Sequence, residues 1–204
     1  MACDPNWQAD LQRYPRRPWL KEQSIWAIAV YRFGRRVDQR RRGPAKWLLD
    51  RMYWVAFRLT ETLTGISIIK SIEIGAGLRI WHFGNIFIHK DVKIGANCTL
   101  RQGVTIGNRV AGGPVPIIGD DVEFGAYAQV LGKIRIGNSA TIGAMAVVLQ
   151  DVPPGATAVG NPARMIQTPG ADEPSTSEPG VTPHRLVNAI PTELNCTERR
   201  ENSE

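Results

Sequence analysis

The 204-residue chain is poor in cysteine and histidine, with three of each, and has no long uninterrupted apolar run. Cys3, Cys98 and Cys196 are odd in number and far apart, which argues against a disulfide framework and for a reducing compartment. No Cys pair or His pair has metal-ligand spacing, so the sequence offers no support for a metal site. A serine-centred nucleophile elbow and a phosphate-cradling glycine motif of the strand-to-helix type are also missing. No apolar stretch approaches the roughly 20 residues that span a bilayer, and no basic segment followed by an apolar run opens the chain. The expectation is a cytoplasmic protein, in which the sequons at Asn97 and Asn195 carry no meaning because glycosylation needs a secretory route.

What is abundant is a repeat. From Ile68, aliphatic or aromatic residues recur every sixth position through Ile74 and Ile80. After two extra residues the count resumes at Ile88, Ile94, Leu100 and Ile106, and twelve residues further on it runs from Ile118 through Phe124 and Val130 to Val148. A second series four residues behind is small or apolar, as at Cys98, Ala128, Ala140 and Ala146, and glycine often follows the first series directly. A period of six fits neither an α-helix nor an isolated strand; it is the hexapeptide pattern of a parallel β-helix. Three short strands make an eighteen-residue coil, and the apolar positions of successive coils stack into one prism, so stability is summed along the stack. Between residues 66 and 153 there is sequence for four to five coils. The glycines are expected to supply the unusual backbone angles that corners require.

The flanks read differently. Prolines at 5, 15 and 18 leave room only for a short helix near Asp10 to Tyr14. A helix is predicted from Ser24 to about Arg41, with Trp26, Ala29, Val30, Phe33 and Val37 as its apolar stripe. A second, from Ala45 to Leu63, carries Trp47, Leu48, Met52, Val55, Ala56, Leu59 and Leu63 on one side. Both stripes are expected to pack on each other and on the first coil, closing the prism. Residues 1–65 are thus a helical cap, 66–166 the β-helix, and 167–204, rich in Pro, Ser, Thr and Glu, a disordered acidic tail, with a short amphipathic attachment at Leu186 to Ile190 as a further reading.

Charge is uneven: residues 1–60 hold thirteen Lys and Arg against five Asp and Glu, whereas 167–204 hold three against seven. The cluster Arg35, Arg36, Arg40, Arg41, Arg42 reads first as a solvated helix face. An anionic membrane surface is the sharper alternative. Nucleic acid is not indicated, since no nucleic-acid motif accompanies the charge.

Two interruptions of the register are where a stiff scaffold can present chemistry: residues 81–85, and residues 107–116 with Gly112, Gly113, Pro114 and Pro116. About one and a half coils apart, they could frame one cleft. His82 lies in the first. An imidazole can accept a hydroxyl or amine proton at neutral pH; a histidine that only caps the loop fits the position equally well, and the residues alone leave both readings open. His89 should point outward from a coil edge, and His184 is a solvated tail residue.

The runs IGANCTLRQGVTIG (94–107), IGDDVEFGA (118–126) and DVPPGATAVGNPAR (151–164) resemble the serine acetyltransferase branch of the hexapeptide acyltransferases. The likeness covers about residues 22–166 and includes the phrase Tyr31 to Gly34 and the junction Leu63 to Ile66. It implies a left-handed β-helix, a homotrimer or dimer of trimers, and transfer of acetyl from acetyl-CoA bound in a groove between subunits, without metal. His82 matches the family's general base. Thr105 and Gly107 match positions beside the pantetheine arm, Gly125, Ala126 and Ala144 match small groove residues, and Arg164 matches a basic group near the nucleotide. On the acceptor side, the family's acid partner aligns with Ser67 and the aspartate before the base with Trp81. Gln102 and His89 are further substrate candidates. The loop that brings Arg and His to the amino-acid substrate reads instead Gly113 to Pro116, without a bidentate arginine for a carboxylate. The reading is an acetyl-CoA-dependent O-acetyltransferase with direct transfer; a sugar, another hydroxyl or an amine as acceptor, and a catalytically weak scaffold, are the alternatives.

Overall fold

The hexapeptide register folds as its spacing predicts. In the computed structural model, which describes residues 5–15 and 17–166, fifteen short strands follow four helices. One face of the prism stacks β1 (Ile66–Ser67), β4 (Ile86–Ile88), β7 (Thr105–Gly107), β10 (Gln129–Leu131) and β13 (Val147–Val148). The second stacks β2 (Glu73–Ile74), β5 (Lys93–Ile94), β8 (Ile117–Ile118) and β11 (Arg135–Ile136). The third stacks β3 (Arg79–Ile80), β6 (Thr99–Leu100), β9 (Glu123–Phe124), β12 (Thr141–Ile142) and β14 (Thr157–Val159), with β15 (Arg164–Ile166) turning back antiparallel along β14. All pairings before that last one are parallel, giving about five turns of β-solenoid. The expectations for the tail, including Leu186 to Ile190, lie outside the described residues.

Register locates the insertions. Ile74 pairs with Ile94, twenty residues on, because two residues were added at 81–85; Ile94 pairs with Ile118, twenty-four on, because the loop before Ile117 adds six; Ile118 pairs with Ile136 at the basic eighteen. The two insertions leave at different corners, the first between the third and first faces and the second between the first and second, so they do not frame a single cleft along one corner.

Every residue of the first apolar series from Ile68 to Val148 is buried, as are Ile72, Leu78, Val92, Cys98, Val104 and the later small residues of the second. Each buried Val, Leu or Ile contributes about 1.5–3 kcal/mol, realised only when a coil lies above and below. The glycines after the first series turn out to serve a different purpose from the one expected. They do not carry the positive φ angles; a Cβ at Gly125 would lie 2.4 Å from the Ala144 nitrogen, and one at Gly137 2.4 Å from the Pro154 nitrogen. They let one coil sit against the next. The left-handed corner conformation falls elsewhere, on Gly77 and on Asn97, Asp121 and Ser139 in successive coils.

The helices are α1 (Pro5–Gln12), α2 (Pro18–Lys21), α3 (Ser24–Asp38) and α4 (Pro44–Thr64). Pro5 and Pro18, expected to discourage helix, instead start α1 and α2, and Pro44 starts α4, at the position where a missing N–H costs nothing. Ser24 opens α3 as predicted, and its hydroxyl donates to the Ile80 carbonyl at 2.9 Å instead of to its own helix. The phrase Tyr31 to Gly34 ties α3 to the first coil. The Tyr31 hydroxyl donates to the Ile72 carbonyl and accepts from the Ile74 N–H, while Gly34 admits the Tyr53 ring of α4, which a Cβ would meet at 2.5 Å. Arg32, fully buried, pairs with Asp10 at 2.7 Å and donates to the Ile74 carbonyl; Asp10 also accepts from the Leu78 N–H. Gly65, at φ 65, ends α4 by donating to the Glu61 carbonyl.

Both predicted apolar stripes are corrected. On α3 Val37 is buried as predicted, but the rest of the buried side is Ile25, Ala27, Ile28 and Tyr31, with Trp26 exposed and Ala29, Val30 and Phe33 half-buried. On α4 only Tyr53, Phe57 and Thr64 are buried, and Leu48, Met52, Val55, Leu59 and Leu63 face outward. Helical periodicity finds a stripe but not the side that meets the core.

Gly125→Ala should lower stability by about 1–3 kcal/mol in urea unfolding, the usual cost of overpacking, while Gly43→Ala, with nothing within 4 Å of its Cβ, should leave it unchanged or slightly raised. Equal effects of the two would contradict the coil-contact role. Asp10→Ala should cost about 3–5 kcal/mol, because it strands the buried Arg32 charge.

Candidate active site

The corner between the third and first faces repeats with small variations down the stack. The Gly103 N–H donates to the Gly84 carbonyl, Tyr127 to Gln102 and Met145 to Ala126, so Gln102, Ala126 and Ala144 lie one above another. At the first coil this corner carries the two-residue excess. The Trp81 N–H is held by the Leu100 carbonyl at 3.0 Å, the chain turns through Gly84 (φ 111) and Asn85 (φ 55), and His82 and Phe83 are thereby pushed outward. His82 is exposed and makes no hydrogen bond to any described residue.

The wall facing it comes from far away in sequence. A pocket of about 200 Å³ is lined by Trp81, His82 and Phe83 on one side and by Lys21, Glu22, Gln23 and Ser24 on the other. The junction of α2 and α3 is fixed there by Glu22, whose two carboxylate oxygens accept from the Arg79 guanidinium, one at 2.8 Å. That guanidinium lies 3.9 Å from the Tyr14 ring centroid and 4.6 Å from that of Trp81. Burial alone would lower the Arg79 pKa; Glu22 and Tyr14 outweigh it and raise it, so the guanidinium stays charged beneath the Trp81 ring. Of the lining residues, Phe83 and Lys21 to Ser24 escaped the sequence reading. Phe83 shares the insertion with His82 and was within reach; Lys21 to Ser24 carry no local signal, because they arrive through α3.

The other candidates are distributed as follows. Ser67, Phe87, Thr105 and Gln129 stand in register across the first face. The Ser67 hydroxyl donates to the Glu61 carboxylate of α4 at 2.6 Å, so a carboxylate does stand beside the position where the family's acid aligns. Gly107 ends β7 and is buried. His89 is tied into its own turn: its Nδ1 accepts from the Asp91 N–H at 3.3 Å, and it is not among the residues lining the His82 pocket. Gly125, Ala126, Ala144 and Gln102 share the corner column with the His82 insertion. The Gln102 side-chain oxygen is buried there without a hydrogen-bond partner, an unusual state for an amide acceptor. Arg164, on β15, is exposed at the far end of the stack, five strand steps from β3 beside His82, or about 24 Å at 4.7–4.9 Å per step. Cys98 faces the prism: its thiol donates to the Gly119 carbonyl, and burial pushes its pKa up to about 11, which removes it as a nucleophile. Among the described residues no group of three or more His, Cys, Asp or Glu side chains could hold a metal ion.

Comparison with known proteins bears on this arrangement. The family profile described as bacterial transferase hexapeptide (six repeats) matches residues 116–150. Soybean serine acetyltransferase in its apo form superimposes with a TM-score of 0.68 at 30% identity, over 80% of this chain and 70% of that one. The chain belongs to the serine acetyltransferase branch of the hexapeptide-repeat acyltransferases. The Neisseria gonorrhoeae serine acetyltransferase in complex with serine is 31% identical over 79% of this chain and 68% of that one, with a TM-score of 0.66. A serine acetyltransferase in complex with CoA is 27% identical over 79% and 68%, also at 0.66. No curated protein matches the chain in sequence. Membership makes the chain an acyltransferase, and the shared region includes both the coils and the capping helices.

Cys98 should remain unlabelled by an alkylating reagent at pH 8 in the folded protein and become labelled in denaturant, as read by peptide mass spectrometry; rapid native labelling would contradict its burial. Cys98→Ser should retain turnover, which a thiol-acyl intermediate would not allow.

Proposed function

We propose that the protein is an acetyl-CoA-dependent O-acetyltransferase in which His82 is the general base. The observation that carries this reading is an exposed imidazole, uncommitted to any described partner, on a rigid corner that continues through Gln102, Ala126 and Ala144 in the next three coils, with Tyr127 and Met145 exposed beside them. His82 takes the proton of the acceptor hydroxyl as that oxygen attacks the thioester carbonyl carbon. The carbon–sulfur bond then breaks, and the imidazolium returns the proton to the departing thiolate. Transfer is direct, because Cys98 is buried and no serine is activated as a nucleophile. Backbone N–H groups along the groove stabilise the developing oxyanion, an effect of about 2.7–4 kcal/mol per donor in well-studied sites.

The donor fits the corner for two reasons. A continuous run of small residues suits a long thin ligand, and the exposed Tyr127 ring and Met145 side chain beside it offer apolar contact along such an arm. Thr105, Gly107 and Gly125 flank the same edge, and Arg164 stands about 24 Å along the stack, where a nucleotide phosphate would end. A neighbouring subunit completes the groove in a homotrimer or dimer of trimers. The helical cap of 1–65, the β-helix of 66–166 and the tail of 167–204 are the units of this reading, and the cytoplasm is its compartment.

The acceptor is a hydroxyl compound. The structurally similar enzymes are serine acetyltransferases, yet Ser67 and Trp81 replace two acidic positions and the segment Gly113 to Pro116 carries no guanidinium for a carboxylate. Trp81 and Phe83, each half exposed on either side of His82, favour a second reading: a sugar ring stacked on an aromatic platform. His82→Ala should abolish CoA release with every acceptor while leaving the thermal shift with acetyl-CoA intact. Near-normal turnover in that variant sinks the mechanism, and no shift at millimolar acetyl-CoA in the wild type favours a scaffold.

A further inference from the structure

The outward face of α4 has no use in acetyl transfer. Leu48, Met52, Val55, Leu59 and Leu63 recur at steps of four, three, four and four, and each is 54–67% exposed. Trp47 and Trp54 extend the same surface sideways. An α-helix of this length runs about 30 Å, and soluble monomers rarely leave so continuous an apolar stripe uncovered.

Its surroundings are basic. From residue 35 to residue 58 the sequence has eight Lys and Arg and only two acidic residues, Asp38 and Asp50. Both carboxylates are taken by one amine, Lys70, at 2.6 and 2.7 Å, so the acidic charge of this surface is already spent within the protein. Arg40, Arg41 and Arg42 are exposed in the turn that leads into the stripe. Arg51 lies over the Trp47 ring at 5.5 Å, and Arg58 lies over Phe57 at 5.9 Å with a guanidinium nitrogen paired to Glu61 at 2.9 Å. A second copy of α4 laid against the first would bring these like charges together. A surface that is apolar within and anionic at its boundary meets both features at once.

We propose that α4, with the α3–α4 turn, is an interfacial helix that lies flat on an anionic lipid bilayer. The five aliphatic residues enter the acyl boundary, the two tryptophans sit at headgroup level, and the arginines reach lipid phosphates while their stems line the apolar edge. No helix among the described residues is long and apolar enough to cross a membrane, and a flat-lying helix needs none to do so. The enzyme would then work on acceptors delivered at a membrane surface.

The full-length protein is sedimented with vesicles of phosphatidylcholine alone and of phosphatidylcholine with phosphatidylglycerol, beside the exposed double variant Val55→Glu with Leu59→Glu and the triple variant Arg40→Gln, Arg41→Gln, Arg42→Gln. Light scattering records the mass of each protein without lipid. The expected result is at least tenfold more pelleting of wild type with the anionic vesicles than with the neutral ones. The double variant should lose that pelleting at unchanged mass, and the triple variant should need less salt to release. No pelleting, equal pelleting with neutral vesicles, or a double variant whose mass changes overturns the proposal; the last result assigns the stripe to a second copy of the chain.

Discussion

The fit of one coil against the next is the constraint on which everything else rests. Parallel strands eighteen residues apart must lie a strand spacing from each other at all three faces at once, and only residues without a side chain fit where Gly95, Gly119, Gly125 and Gly137 touch the following coil. The apolar series gains its burial energy only under that condition, because each Ile or Val is covered by its counterparts and not by its own strand. The stack must also end somewhere. At the first coil, α3 closes it with Tyr31, Ile25 and Ile28, and with an Asp10–Arg32 pair whose remaining donors go to the carbonyls of Ile74 and Gly75.

Such a scaffold is stiff, so a local irregularity in it becomes a fixed feature. Two added residues at one corner are enough to push His82 and Phe83 out of a column that continues through Gln102, Ala126 and Ala144, with Tyr127 and Met145 exposed beside them. The same corner continues down the stack, so an exposed imidazole at its top and a run of small residues below it come from one regularity and one defect. The wall opposite His82 belongs to the capping segment, locked by Glu22 on Arg79, which links the helices that stabilise the coil to the pocket that would hold an acceptor.

Much of this was legible in the sequence because a six-residue period has one structural meaning: Ile68 to Val148 were all placed correctly in the core, and the interruption at 81–85 was found by counting. The helix faces were not legible. Leu48 to Leu63 make a regular stripe, and periodicity cannot say whether the protein itself or something else covers it; Tyr53 and Gly34 decide the matter through a close helix contact that no spacing rule announces. Lys21 to Ser24 reach the site through tertiary contact alone, as does Glu61 at Ser67. The glycines were found but misread, since local backbone rules describe a turn and not the coil above it.

The account comes down to where a CoA thiol rests on this corner. A crystal structure of the protein with CoA measures it directly. The prediction is a sulfur within hydrogen-bond reach of the His82 imidazole, with the pantetheine arm running along Gln102, Ala126 and Ala144 and a second subunit closing the other side. A sulfur bound at another corner, or an imidazole turned away from it with no subunit boundary nearby, contradicts the account.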